Sequence, residues 1–242
     1  MSVGKRIDIN LNAETFASLY DRVCKRKGSE AMVQELLSGP ASKKQILNTP
    51  DDRFLAEFTK KVFQSGFVWR VVRQKWPNFE EVFFGFDIDK ILLMPDEMLE
   101  HKATNPAIIR NFNKVKTIRE NAWMIDDIRR SHGSFANFVT QWPQDDLVGL
   151  WDFLKKKGAR LGGNTGPYAL RALGVDTFLL SRDVEGYFVE HGLISGSARS
   201  KRSLNTIQRT FIDWQSESNL SLQELSQIVS FSCGDNHVGM AR

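Results

Sequence analysis

Phe54, Leu55, Phe58, Val62 and Phe63 fall at spacings that put them on one face of a helix. Similar apolar stripes recur in Thr117–Ile128, Leu147–Phe153, Thr206–Trp214 and Leu222–Phe231, whereas strand signals are scarce. The run "FVWRVV" is apolar enough for a strand but is short and lies in helical context. Turns such as "MPDE", "TNPA" and "SHGS" separate the stripes. The pattern predicts an all-α fold, a compact multi-helix bundle of many short helices. Thr49 or Asp51 is available to cap the helix through Phe54, and Ser221 with Glu224 reads as a capping box ahead of the last stripe. The loosest stretch, Gly39–Thr49, is expected to join an N-terminal helical appendage (Asn12–Ser38, within residues 1–48) to a main domain over 49–242.

One segment breaks the helical rhythm. Gly162, Gly163, Asn164, Thr165 and Gly166 cannot continue a helix cheaply, because glycine loses backbone entropy there and Asn and Thr prefer caps and turns. Pro167 suits the first position of a new helix, and Gly174 is a natural stop after Tyr168–Leu173. The segment therefore reads as helix, hairpin, helix, then a loop to Asp183. Helix starts of this kind present backbone N–H groups, and glycines let a phosphate approach them closely. Such a grip on a nucleic-acid backbone positions a protein without choosing a base. A tight helix connection with no ligand is the alternative reading of the same residues.

At 242 residues, with 41% hydrophobic content and six tryptophans, the chain can bury one sizeable core or two small ones. Its formal charge of +4 permits a polyanionic partner without requiring one. Cys24 and Cys233 are far apart, which argues against a disulfide scaffold and fits a reducing compartment. With no signal-peptide core and no apolar run of membrane-spanning length, the expectation is a soluble, cytoplasmic protein.

Within "QSGFVWRVVRQKWPNFEEVFFGFD" and "AIIRNFNKVKTIRENA", an ordered set of residues stands out: Gln64, Gly66, Trp69, Phe83, Phe86, Asp87, Ile108, Ile109, Arg110, Lys114, Asn121 and Ala122. This set resembles the DNA-3-methyladenine glycosylase I family. The hairpin resembles the signature of the wider helix-hairpin-helix DNA glycosylase superfamily, with Tyr168 where the methyladenine family also has a tyrosine. Together the resemblance covers roughly Asp51–Val184. It implies a glycosylase that hydrolyses the N-glycosidic bond of an alkylated, 3-methyladenine-like purine in double-stranded DNA, as a monomer and without a cofactor. The alternative is a DNA-binding protein that kept the fold and lost the chemistry.

The resemblance also implies roles. Gly162, Gly163, Asn164, Thr165 and Gly166 would grip DNA. Asp183 would be the carboxylate that activates water and stabilises charge at C1′, with Asp176 in "GVDTF" as its rival; Asp183 could equally support the helix that begins there. Trp69 would be the wall on which an extruded base stacks, and a cationic methylated purine would gain from the indole face. Core packing is the plain alternative for Trp69, as it is for Phe54 and Phe58. Tyr168 would add a second wall.

Two departures stand out. Lys61 occupies the place of the family's base-reading glutamate, and the family's early zinc-site residues are missing from "MSVGKRIDINLN". Cys233 and His237 have a spacing that metals accept, but no quartet of ligands emerges, so no metal is expected. Glycosylases that also cut the backbone use a lysine on the second hairpin helix; Gly166 and Pro167 stand in that neighbourhood, which implies simple hydrolysis. Lys155, Lys156, Lys157, Arg160 and the stretch Ser197–Ser203 are candidate phosphate partners or plain solvated charge.

Overall fold

The structure is a computed structural model that describes residues 14–233. The described residues are helical throughout, with no strand. Helices α1 (Phe16–Lys27) and α2 (Glu30–Leu36) come first. They are followed by α3 (Lys43–Leu47), α4 (Asp51–Gln64), α5 (Trp69–Val82), α6 (Ile88–Leu92), α7 (Asp96–Ala103) and α8 (Phe112–His132). Next are α9 (Phe135–Gln141), α10 (Leu147–Lys157), α11 (Thr165–Ala172), α12 (Arg182–Glu190), α13 (Lys201–Ser218) and α14 (Leu222–Ser232). The chain divides into two compact units, one of Gly39–Thr177 and one joining the chain before Gly39 to the chain from Phe178 onward.

The Gly39–Thr177 unit is organised on α4. Its apolar face of Phe54, Leu55, Phe58, Val62 and Phe63 is buried, and it packs against both α8 and α11. Phe54 and Phe58 meet Phe135 at ring-centre distances of 5.0 and 5.4 Å, and Phe63 sets its edge against Phe79 at 4.7 Å. Full burial of such rings contributes about 2 kcal/mol each. Phe54 and Phe58 are therefore core residues, as their spacing predicts.

Neither expected residue caps α4. Pro50 occupies the N-cap, the Asp51 carboxylate accepts the Phe135 N–H of α9 at 2.8 Å, and the Thr49 hydroxyl donates to the Gln45 carbonyl of α3. Asp51 thus found a tertiary partner that the local sequence does not reveal, while Thr49 bonds locally to the preceding helix. The stretch read as the loosest holds α3, whose Ser42 and Gln45 form a reciprocal capping box. "FVWRVV" runs into α5 rather than a strand, because Gly66, at φ +90°, turns the chain and a new helix starts at Trp69. Pro167 is the third residue of α11 and not the first. Its missing N–H costs nothing there either, since the donors of a helix's first turn lack internal partners.

In the other unit, α14 packs against α1, α12 and α13. Phe178 stacks on Phe211 at 4.7 Å, and Tyr187, Phe188 and Trp214 complete the apolar centre. The capping box of Ser221 and Glu224 forms as expected. Cys24 and Cys233 are free thiols. The segment expected as an appendage is thus divided, with α1 and α2 in this unit and α3 in the unit built on α4.

Gly174 ends α11 at φ +84° and accepts the Ala41 N–H at 2.9 Å. A Cβ there would lie 2.4 Å from the Ala41 Cβ. Both the left-handed backbone and the close approach exclude a side chain, so Gly174→Ala is expected to cost about 2 kcal/mol or more, read as a lower urea midpoint at unchanged slope.

Candidate functional site

Trp69 opens α5 and is 49% exposed, unlike the phenylalanines before it. Its indole N–H donates to the Gln64 carbonyl at the end of α4 at 3.1 Å, which fixes the ring without burying it. The ring edge meets Tyr168 of α11 at 6.3 Å with planes 78° apart, so two helices that pack on α4 supply two aromatic walls. Lys61, on α4, completes the group: its ammonium lies 5.8 Å from the Trp69 ring centre and 3.1 Å from the Glu57 carboxylate one turn earlier. The structure thus brings Trp69, Tyr168 and Lys61 together. Glu57 was not anticipated, although its spacing from Lys61 is the favourable acid-before-base order of a helix pair.

The end of α4 that carries this group is held by a buried cation. Lys114 of α8, 7% exposed, donates from Nζ to the Val62 carbonyl at 2.6 Å, the Phe63 carbonyl at 3.4 Å and the Ser65 carbonyl. It also sits over the Phe67 ring at 4.8 Å. A cation at a helix C-terminus meets the negative end of the dipole and satisfies carbonyls that have no partner within the helix. Burial, with Arg160 adding to it, pulls the Lys114 ammonium below the ordinary lysine value. Lys75 holds another segment in the same way, donating to the carbonyls of Pro106, Ala107 and Ile108.

The hairpin lies between α10 and α11. Asn121, fully buried on α8, clamps its approach by donating to the Ala159 carbonyl at 3.2 Å and accepting the Ala159 N–H at 2.7 Å. Arg160 and Gly163 both adopt positive φ, +59° and +62°. Of the five expected grip residues, Gly163 is exposed, Gly162, Asn164 and Thr165 are half-buried, and Gly166 is buried. The Thr165 N–H donates to the Gly162 carbonyl and the Gly166 N–H to the Leu161 carbonyl, so these two donors serve the turn itself. A Cβ on Gly166 would lie 2.7 Å from the Leu161 carbonyl oxygen; this glycine is required for close packing. Lys155, Lys156 and Lys157 are exposed at the end of α10, with Lys156 paired to Asp152 at 2.5 Å.

The two candidate aspartates fall in different units. Asp176 is half-buried in the loop after Gly174, within Gly39–Thr177 together with the hairpin, Trp69 and Tyr168. Burial, opposed in part by Asp176 and Tyr168, lowers the Arg171 guanidinium to about 10, so these three groups share one electrostatic environment. Asp183 is the second residue of α12 in the other unit, where Ser181 is the N-cap. Its place in the first turn suits the helix dipole. Arg199, in the basic stretch Ser197–Ser203, pairs with Glu185 of α12 at 2.5 Å.

Among the described residues no three of the His, Cys, Asp and Glu side chains come together as metal ligands, and His237 lies outside the described residues. No helix among them is long and apolar enough to cross a membrane. A cavity of about 490 Å³ opens between α7 and α8, lined by Glu100, Ala103, Thr104, Arg110 and Phe112, none of them an expected site residue.

Residues 47–159 match the methyladenine glycosylase family model, which bears out the resemblance read from the motif residues. No curated protein matches the chain. A solved 3-methyladenine DNA glycosylase I is 27% identical over 52% of this chain and 80% of its own, with a TM-score of 0.45. The 8-oxoguanine DNA glycosylase of Methanocaldococcus jannaschii is 20% identical over 87% of this chain and 91% of its own, with a TM-score of 0.51. The 8-oxoguanine DNA glycosylase of Thermotoga maritima is 15% identical over 93% of this chain and all of its own, with a TM-score of 0.50. The all-α fold is shared with the two 8-oxoguanine DNA glycosylases.

The motif lysine is expected to carry the geometry of the whole site. Lys114→Met, which keeps length and removes the donors, should leave the carbonyls at the end of α4 unpaired and cost about 2 kcal/mol in urea unfolding.

Proposed function

We propose that this chain, whose residues 47–159 match the methyladenine glycosylase family, is a DNA glycosylase that releases an alkylated purine from double-stranded DNA. The observation that carries the reading is the combination, in one compact unit, of that match with exposed Trp69 against half-buried Tyr168 and a glycine-rich hairpin between helices. No observation favours the catalytically inactive alternative.

The hairpin's exposed Gly163 and neighbouring lysines would hold one DNA strand by its phosphates, independently of sequence. A damaged nucleotide extruded from the duplex would stack on the half-exposed face of Trp69, recovering stacking lost on extrusion. A methylated purine carries positive charge, which an indole face attracts. A carboxylate then accepts a proton from water as the water oxygen bonds to C1′ and the N-glycosidic bond breaks. The base departs with the bond's electron pair and leaves as a neutral molecule, and the sugar becomes an abasic site. Since Gly166 and Pro167 stand where a Schiff-base lysine would be needed, the backbone is left intact.

The carboxylate is the open choice within this reading. Asp183 is favoured by its separation from the hairpin in the sequence. Asp176 is supported by an observation close to the hairpin: it and Tyr168 both act on the Arg171 guanidinium of α11. On that ground Asp176 takes the water-activating role, and Asp183 serves the first turn of α12. Free-base chromatography after incubation with methylated duplex DNA tests both statements. Asp176→Asn should lower base release by about 100-fold or more, while Asp183→Asn stays within a few-fold of the parent. The reverse pattern would return the role to Asp183, and salt-sensitive DNA binding without any base release would sink the glycosylase reading.

A further inference from the structure

Helix α5 carries its charges against its own dipole. Arg70 stands in its first turn and Arg73 in its second, Glu80 and Glu81 lie in its last turn, and neither a side-chain cap nor an acidic residue supports its start. The N-terminus is the positive end of a helix, so cations there destabilise it, and acids at the other end add to the cost. Arg70 and Arg73 are also three residues apart, hence neighbours on the helix surface, where like charges repel. Glu80 has a structural role, since it accepts from Arg53 and from the Trp76 indole. The two arginines have none. Other cations of the unit are engaged: Arg53 with Glu80, Arg119 with Asp96, Arg129 and Arg130 with Asp126, and Lys75 of α5 itself with three backbone carbonyls. Arg70 and Arg73 are exposed and have no carboxylate partner among the described residues.

Their position indicates what would offset them. Arg73 follows Trp69 by four residues on the same face, and a helical side chain covers the surface over the turn before it, here the turn that holds Trp69. The Trp69 ring meets Tyr168 at 6.3 Å, and the Tyr168 N–H donates to the Asn164 carbonyl of the hairpin at 2.9 Å. Hairpin, Tyr168, Trp69 and the two arginines are thus successive neighbours in one unit. A nucleotide whose base lies on Trp69 stays joined to its strand through the phosphates on either side of its sugar. Those phosphates must lie within a side chain's length of the indole. An acidic protein could offset the same charges, but the stacking face beside them favours a nucleic-acid strand.

We infer that Arg70 and Arg73 form a second grip on DNA, holding the phosphates that flank the extruded nucleotide while the hairpin holds the strand elsewhere. This rests on the glycosylase reading and specifies how the substrate is positioned within it. A guanidinium engages two phosphate oxygens at once, and phosphates set against the start of α5 turn an unfavourable local field into a favourable one. The helix gives up stability in the free protein and regains it on binding.

The test is the salt dependence of binding, followed by fluorescence anisotropy of a labelled duplex that carries a tetrahydrofuran abasic-site analogue. Each phosphate contact adds about 0.9 to the slope of log affinity against log salt concentration. The double variant Arg70→Gln with Arg73→Gln should flatten the slope by about two and weaken binding by about tenfold or more, each single change giving about half of the slope effect. Lys90→Gln, which removes an exposed cation of α6 beyond the opposite end of α5, should leave the slope unchanged. The urea midpoint of the double variant should equal or exceed the parent's, because the removed charges opposed the helix; a structural role would lower it. An unchanged slope in the double variant, the result expected if the arginines serve an acidic protein, overturns the second grip. So does an equal loss with Lys90→Gln or a lowered urea midpoint, and in each case base release by the parent keeps the glycosylase reading standing. If the parent neither binds the duplex nor releases base, the glycosylase reading fails first and the second grip with it.

Discussion

Helix α4 ends at Gln64, and the carbonyls of its last turn lack partners further along the helix. Two side chains from elsewhere meet that need. Lys114 reaches from α8 to the Val62, Phe63 and Ser65 carbonyls, and the Trp69 indole N–H takes the Gln64 carbonyl. The first bond set locks the turn through Gly66, and the second locks the ring that follows the turn. The same unsatisfied helix end therefore fixes both the direction in which α5 departs and the orientation of the one large aromatic side chain that stays in solvent beside Tyr168. A stacking surface needs this combination of rigidity and exposure, which a tryptophan packed into the core or loose on a loop would lack.

This constraint explains which parts of the molecule the sequence made legible. The apolar face of α4, the stripes of α8, α10, α13 and α14, and the box at Ser221 and Glu224 depend on residues close together in the chain, so periodicity and spacing reveal them. The hairpin between α10 and α11 was visible for the same reason. The box at Ser42 and Gln45 was equally present in "SKKQ", but a short helix has too few apolar residues to show a period. The displaced cap of α4 depended on Phe135, which is far along the chain and gives Asp51 no local mark.

The site was legible to a different degree. Trp69, Tyr168 and Lys61 do converge, and the motif that carried the resemblance named them or their neighbours. The supporting groups were harder to see. Lys114 and Asn121 are motif residues, yet their work is to pin backbone carbonyls and amides at the end of α4 and at Ala159, and side chain to backbone bonds leave no pairwise signature in a sequence. Within the hairpin, five residues that looked alike separate by burial: Gly163 faces solvent while Gly166 is a packing residue whose N–H closes the turn. Glycine serves both purposes and only the fold distinguishes them.

The aromatic pair and the ion pair beside it are mounted in different ways. The wall at Trp69 is tied to the backbone of α4 and through it to Lys114, so its substitution would disturb the core of the unit. Lys61 and Glu57 are tied chiefly to each other, one helical turn apart, and neither holds a backbone group. A position of that kind can change its charge without loosening the helix beneath it, provided the pair is kept balanced. The aromatic wall is therefore coupled to the packing of the unit, while the charge beside it is set by a local pair.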